Sequence, residues 1–222
     1  MTSGVLFDVD GTLVDTTYLH TVTWWEAFRD GGHDVPMAAI HRSVGMGSDK
    51  LLEHLLSPER DRSADEALRD GHSARYRAYW KRLRPLPGAA DLLRACKGLG
   101  LKVALASSAD PAELGVLREA LGADDVIDAA TSAGDARESK PEPDIIEAAL
   151  RDLGLLPSQV VFVGDSVWDV AACAKLDVPC VGLTCGGTSR GELAGAGAVA
   201  VYEDPADLLA GLDGSPIAAA LA

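Results

Sequence analysis

Hydrophobic positions along the chain fall into two textures. Short apolar runs without alternation recur as "VLF" at Val5–Phe7, "LKVALAS" at Leu101–Ser107, "DVIDAAT" at Asp125–Thr131, "QVVFVGD" at Gln159–Asp165, "PCVGLT" at Pro179–Thr184 and "AVAVY" at Ala198–Tyr202. Continuous Val/Leu/Ile runs of this length read as strands buried on both faces, the signature of a parallel sheet covered by helices. Helical patterns lie between most of them: Ala89–Leu99, Asp110–Gly122, Pro143–Leu153 closed by Gly154, and Val167–Leu176. The second has a strong start signal, Asp110 with Pro111 behind it and Glu113 three positions on, a predicted capping box. The tail from about Asp213 carries no clear pattern and is expected to fray.

The alternation of strand and helix begins at Val5, stops, and resumes at "RPLPG", Arg84–Gly88. Between these points the chain is helical in pattern and has no convincing strand. Leu19, Val22, Trp25 and Phe28 recur at three-residue steps and predict an amphipathic helix ended by Gly31-Gly32. Further helices are predicted over Met37–Val44, Asp49–Leu56 and, in a long polar stretch, Asp65–Leu83; all five histidines lie in this segment. The expected architecture is therefore α/β: a Rossmann-like, doubly wound parallel sheet formed by 1–14 and 85–222, with a helical cap inserted over 15–84.

Length changes this picture little, since 222 residues accommodate one core domain and a small insertion. Charge excludes more. The net charge of −14, from 34 acidic and 20 basic residues, argues against nucleic acid and against a polybasic membrane anchor. Cys96, Cys173, Cys180 and Cys185 form no C-x-x-C pair, and no histidine follows Cys96 to complete a zinc set. Free thiols, no signal-peptide stretch and no membrane-length apolar run predict a soluble, cytoplasmic protein. Nothing in the helical segment's pattern defines a self-association stripe, so the sequence sets no oligomeric state.

Candidate chemistry sits at the predicted strand ends. Asp8 and Asp10 follow the first strand, Ser107 and Ser108 the second, and Asp165 the fourth; Lys140 lies in "ESKPEPD" before a helix. In an open parallel sheet these carboxyl ends face one crevice. Several carboxylates with water suit Mg²⁺, while hydroxyls, an ammonium group and free N–H groups suit a phosphate. Gly11 lets the backbone come close to such a ligand. Buried carboxylates two residues apart are costly unless a cation compensates them.

The four segments "DVDGTLVD", "LASSAD", "SKPEPD" and "GDSVWD", in that order and with a helical insertion after the first, resemble the motifs of the haloacid dehalogenase superfamily. The resemblance spans the chain and points to the small-cap phosphatases, similar to phosphoglycolate phosphatase and β-phosphoglucomutase. It implies Asp8 as nucleophile forming an aspartyl-phosphate, and Asp10 as acid and then base. It implies Mg²⁺ held by Asp8, the Asp10 carbonyl and Asp165, with Ser107 and Ser108 near the phosphoryl group. Lys140 would neutralise phosphate and Asp8, and Asp169 would support the metal's waters or Lys140. In the cap, His20 and Trp24 lie one turn apart near the hinge and match residues that face the site in β-phosphoglucomutase-like relatives; Arg42 is a candidate for the far end of an anionic substrate.

The implied activity is Mg²⁺-dependent hydrolysis of a small phosphorylated metabolite of the sugar phosphate or phosphoglycolate type. A phosphosugar mutase is the alternative, supported by His20 and Trp24. Against it, the fourth motif reads Gly164-Asp165 where mutases tend to show Glu-Asp, and "GMGSDK" lacks their arginine. Asp10 speaks against a dehalogenase proper, which has a non-acidic residue there. A non-catalytic binding protein on the same fold would be expected to have lost Asp8, Asp10, Lys140 or Asp165, and all four are present.

Overall fold

The computed structural model describes residues 3–219. Six parallel strands form one sheet in the order β3-β2-β1-β4-β5-β6. They are β1 Gly4–Phe7, β2 Lys102–Ala106, β3 Ala129–Thr131, β4 Val160–Gly164, β5 Cys180–Leu183 and β6 Ala200–Tyr202. Phe7 stands between Leu105 of β2 and Val163 of β4, which fixes the register at the sheet's centre. The chain runs outward from β1 in one direction to β2 and β3, and in the other to β4, β5 and β6. This reversal leaves a crevice beyond the carboxyl end of β1, where open α/β sheets bind ligands.

Both faces of the sheet are buried because successive side chains point to opposite sides. Val5, Phe7, Val103, Leu105, Val161 and Val163 pack against Leu92 and Leu93 of α5 (Ala89–Gly98) and Leu117 of α6 (Pro111–Leu121). Leu6, Ala104, Ala106 and Phe162 pack on the other side against Ile146 of α7 (Asp144–Leu153) and Val170 of α8 (Val167–Ala174). Gly154 takes the left-handed conformation at φ 64° and stops α7 in the manner its sequence predicts.

Residues 17–77 contribute α1 Thr17–Asp30, α2 Met37–Ser43, α3 Ser48–Leu55 and α4 Asp65–Arg77. These helices close round their own apolar cluster, which includes Trp24, Phe28, Ile40, Leu51, Leu52 and Leu68. The chain enters and leaves this segment side by side. Asp15 donates its N–H to the Arg84 carbonyl at 3.1 Å, and Leu86 donates to the Leu13 carbonyl at 2.8 Å.

Four sequence expectations need correction. In α1 the buried stripe is His20, Thr23, Trp24, Ala27 and Phe28, and Leu19, Val22 and Trp25 are only partly covered. Polar residues occupy the inward face because it is hydrogen-bonded to α4 and to the strand ends, which pattern alone does not reveal. The capping box at Asp110 forms by half: Asp110 accepts from Ala112 and Glu113 N–H, while the Glu113 carboxylate turns toward His20. The stretch to Leu83 breaks after α4, with a 3₁₀ turn over Trp80–Arg82. The described part of the tail is helical, with 220–222 outside the described residues: α11 Pro216–Ala219 buries Ile217, following two helices without a prior expectation, α9 Arg190–Ala196 and α10 Pro205–Ala210. No described helix is long and apolar enough to cross a membrane.

Candidate active site

Beyond Phe7 the chain cannot continue as a strand, because Thr12, Leu13 and Val14 all turn their N–H groups back to the Val9 carbonyl. Gly11 sits in this turn at φ 76°, a conformation that side chains disfavour. The turn holds Asp8 at the mouth of the crevice and lifts Asp10 above it. Asp8 is buried, yet its charge has partners. Lys140 donates to Asp8 Oδ1 at 2.6 Å and Thr12 Oγ1 lies 3.3 Å from Oδ2.

Lys140 is the pivot of the lower site. Its Nζ lies 2.8 Å from Asp169 Oδ1 and donates to the Ala106 carbonyl at 3.2 Å, with 1% of the side chain exposed. Burial alone would drive the proton off this lysine, but the carboxylates of Asp169 and Asp8 hold it well above its ordinary value. Asp169 is fixed in turn by Ser166, whose hydroxyl and N–H both donate to Oδ2 at 2.6 and 3.1 Å. That capping box starts α8 and aims the other carboxylate oxygen at Lys140. Burial pushes the Asp8 carboxyl up to about 7 despite Lys140, with Asp169 and Asp10 adding to the rise. Burial, Asp8 and Asp169 push Asp165 up as well.

These directions describe a negative cluster that one lysine does not balance. Asp8, Asp165 and Asp169 each offer an oxygen within 4.8 Å of the others, and Thr12 Oγ1 ties Asp165 to Asp8 by donating to Asp165 Oδ1 at 3.0 Å. The donors are all hard oxygens, the set that suits Mg²⁺. With Asp169 engaged by Lys140 and Ser166, Asp8 and Asp165 remain to hold a cation. Two glycines let the backbone close on Asp165: a Cβ on Gly11 would stand 2.6 Å from Asp165 Oδ2, and one on Gly186 would collide with the same oxygen. Thr17 Oγ1 is buried beside Gly11 without a hydrogen-bond partner, a hydroxyl suited to a cation-bound water. The residues present fit the metal.

The upper site is built around Asp10. Thr16 Oγ1 donates to Asp10 Oδ1 at 2.8 Å, and His20 Nε2 lies 3.2 Å from the same oxygen. Burial raises the Asp10 carboxyl, but the hydrogen bond and charge of His20, with Thr16, outweigh it and leave the group below its usual value. His20 moves the other way: burial opposes its charge, and Asp10, Glu113 and Asp8 more than restore it. Behind it, His20 Nδ1 lies 3.4 Å from His72 Nε2, and His72 Nδ1 lies 2.9 Å from Thr23 Oγ1, which donates to the Leu19 carbonyl at 2.8 Å. Burial, His20 and Arg75 hold His72 well below its ordinary value, so it is the neutral member. One assignment satisfies every atom: His20 donates from both nitrogens, to Asp10 and to His72, and His72 donates to Thr23.

The structure thus brings together Asp8, Asp10, Gly11, Lys140, Asp165 and Asp169 at the strand ends, with His20 and Trp24 above them. Trp24 serves two surroundings, stacking on His72 at 4.2 Å within the helical cluster and lining the cavity over Asp8 and Asp10. Ser108 lines that cavity, whereas Ser107 is fully buried and accepts from the Ala109 N–H at 3.0 Å. Arg42 is the exception. It donates to Glu192 at 2.9 Å on an exposed edge and faces a different groove, because Trp168 ties its backbone carbonyl there at 2.8 Å. Sequence reasoning missed Thr12, Thr16, His72 and Glu113. Thr12 lies inside a quoted motif and Thr16 just beyond it, but a hydroxyl among apolar residues carries no signal of its own; His72 lies 52 residues from its partner His20.

Comparison with known proteins agrees with this fold. Residues 2–177 match the haloacid dehalogenase-like hydrolase family. The chain belongs to that family. It is 31% identical over 218 residues to a phosphoglycolate phosphatase of Rhodospirillum rubrum, covering 94% of this chain and 90% of that protein. A solved structure of a hydrolase from Pseudomonas syringae superposes with a TM-score of 0.91 at 33% identity, covering 96% of this chain and 99% of the other. A β-phosphoglucomutase from Clostridium difficile shares the fold, with a TM-score of 0.79 at 21% identity over 92% of each chain.

Proposed function

We propose that this hydrolase is a Mg²⁺-dependent phosphatase that cleaves a small phosphorylated metabolite through a phosphoryl group carried on Asp8. The observation that supports it best is the Asp8 carboxylate, buried, oriented by Lys140 at 2.6 Å, and opening onto the same cavity as Asp10. An anion attacks a phosphate ester slowly because the two repel. Lys140 offsets that repulsion from below, and Mg²⁺ held by Asp8, Asp165 and the Asp10 carbonyl would draw further charge from the phosphoryl oxygens.

Asp8 forms a bond to phosphorus as the bond to the alcohol oxygen breaks. The departing alkoxide takes a proton from the Asp10–His20 pair, which shares one across its 3.2 Å contact. The pair, now short of a proton, takes one from water as that water attacks the phosphoryl group. Phosphate leaves, Asp8 is freed, and the pair is restored. His72 keeps His20 in the orientation and protonation this cycle needs. Residues 15–84 form the cap in this reading, closing over the crevice through the paired crossings at Asp15/Arg84 and Leu13/Leu86.

Phosphate release from a chromogenic ester and a panel of phosphorylated metabolites, with Mg²⁺, with chelator and with Asp8→Asn, tests the proposal. Release should require both the metal and Asp8. Undiminished release by Asp8→Asn would overturn it, and interconversion of a sugar phosphate without net release would make the protein a mutase.

A further inference from the structure

The chamber over Asp8 and Asp10 has a volume of about 190 Å³, and among the described residues no lysine or arginine lines it. Drug-sized ligands fill roughly 300–1,000 Å³, so this is room for a phosphoryl group and a small alcohol. Beyond the reacting groups its charged side chains are the carboxylates of Asp110 and Glu113. Asp110 Oδ1 accepts from Ala112 and Glu113 N–H at 2.8 and 2.9 Å, while Glu113 Oε1 lies 3.5 Å from His20. The remaining wall mixes apolar surface from Trp24, Met46 and Leu51 with the hydroxyls of Ser48, Ser73 and Ser108.

Two nearby bases are committed elsewhere, and a third stands outside the chamber in a hollow that shares Ser48 and Ser108 with it. Lys50 pairs with Glu138 at 2.7 Å and Arg42 with Glu192 at 2.9 Å. Arg137 lines the adjoining hollow together with Asp49 and Ser139. Lys140 lies beneath Asp8, bound to two carboxylates. The compensating charge is therefore concentrated where the transferring phosphoryl group sits, and a second anion on the substrate would meet carboxylates.

Resting on the phosphatase reading, we infer that the leaving group is a small uncharged polyhydroxy alcohol, and that the chamber selects against a leaving group carrying a carboxylate or a second phosphate. Sugar or polyol hydroxyls find partners in Ser48, Ser73 and Ser108, and their C–H faces find Trp24. Glu113 suits a hydroxyl in either protonation state, accepting from it as a carboxylate and donating to it as an acid. Burial pushes this carboxyl up to about 7, so both forms are present near neutrality. A cationic leaving group meets less uncompensated charge than two carboxylates suggest, since Glu113 Oε1 faces His20 at 3.5 Å and Asp110 Oδ1 accepts from two backbone N–H groups.

The test compares kcat/KM, with Mg²⁺, for glycerol phosphate, glucose 6-phosphate, phosphoglycolate, fructose 1,6-bisphosphate and phosphoethanolamine, with a chromogenic ester as reference. The better neutral polyol ester should exceed phosphoglycolate and the bisphosphate by at least about tenfold, the scale of an uncompensated like-charge contact, and should also exceed phosphoethanolamine. Ser48→Lys, which puts a cation in the wall, should raise the ratio of phosphoglycolate to glycerol phosphate by about tenfold. Arg137→Ala should leave the ranking unchanged. Phosphoglycolate, the bisphosphate or phosphoethanolamine as best substrate would overturn the inference, and Asp8-dependent hydrolysis of the chromogenic ester would show that the phosphatase reading survives. No hydrolysis of any ester would remove both.

Discussion

Lys140 illustrates how one residue can carry two loads. It neutralises Asp8 and Asp169 in a place from which water is excluded, so removing it strands two carboxylates. Lys140→Ala should cut kcat by at least about 100-fold, as loss of a preorganised charge does. It should also lower stability in chelator by about 3–5 kcal/mol above pH 7, measured by denaturant titration. Asp8 gives a separate pH signature. Its folded-state value of about 7 lies above the ordinary 3.8, so the folded protein binds more protons than the unfolded chain between these limits. Stability in chelator should therefore fall as pH rises through that window. Mg²⁺ competes with those protons, and its stabilising effect on Tm should be larger at pH 8 than at pH 5. An equal or smaller shift at pH 8 would contradict the idea that Asp8 and Asp165 hold the cation. At this scale the sequence was legible where residue type was unusual for its setting, as with acids at the ends of apolar strands. Thr12 and Thr16 were not, since a threonine hydroxyl becomes informative only when its partner across the fold is known.

Between elements, the contacts that decide the site run from helix to turn. The turn after β5 brings Gly186 against Asp165, with no room for a methyl group. Gly186→Ala should raise the Mg²⁺ concentration for half-maximal activity by about tenfold or more, roughly the effect of disturbing a metal ligand's support. Unchanged metal dependence would place the cation elsewhere. Arg42 supplies the contrasting case. Because its guanidinium pairs with Glu192 on an exposed edge, Arg42→Ala should leave kcat/KM within about twofold, as expected for a surface ion pair. A large rise in KM would restore it to the substrate's reach. The helical stripe of α1 shows why pattern reading failed here. Periodicity locates a buried face only when that face is apolar, and in α1 the inward face carries His20 and Thr23 because a polar site lies beneath it. Strand ends obey a simpler rule: the sheet's topology places them at one edge, so their residues could be assembled from the sequence before any contact was seen.

The molecule as a whole bears a net charge of −14, and its substrate is an anion in the proposed reading. Long-range repulsion should slow encounter, in contrast to proteins that steer their ligands. Raising ionic strength from about 0.01 to 0.15 M shortens the screening length from about 30 to 8 Å, so kcat/KM for a phosphate monoester should rise modestly. A steep fall would mean that the local positive field reaches well outside the crevice. The division of labour is clear at this scale. A sheet buried on both faces fixes Asp8 and its charge partners. The helices of 17–77 bring His20, Trp24 and His72 to the same cavity from a separately packed cluster. The central claim, that Asp8 carries the phosphoryl group between alcohol and water, is tested most directly by trapping it. Asp10→Asn, mixed with substrate and Mg²⁺, quenched in acid and digested, should yield the peptide containing Asp8 with one phosphoryl group on that residue. Phosphorylation at another residue, or an unmodified Asp8 peptide from a variant that still consumes one equivalent of substrate, would contradict the account.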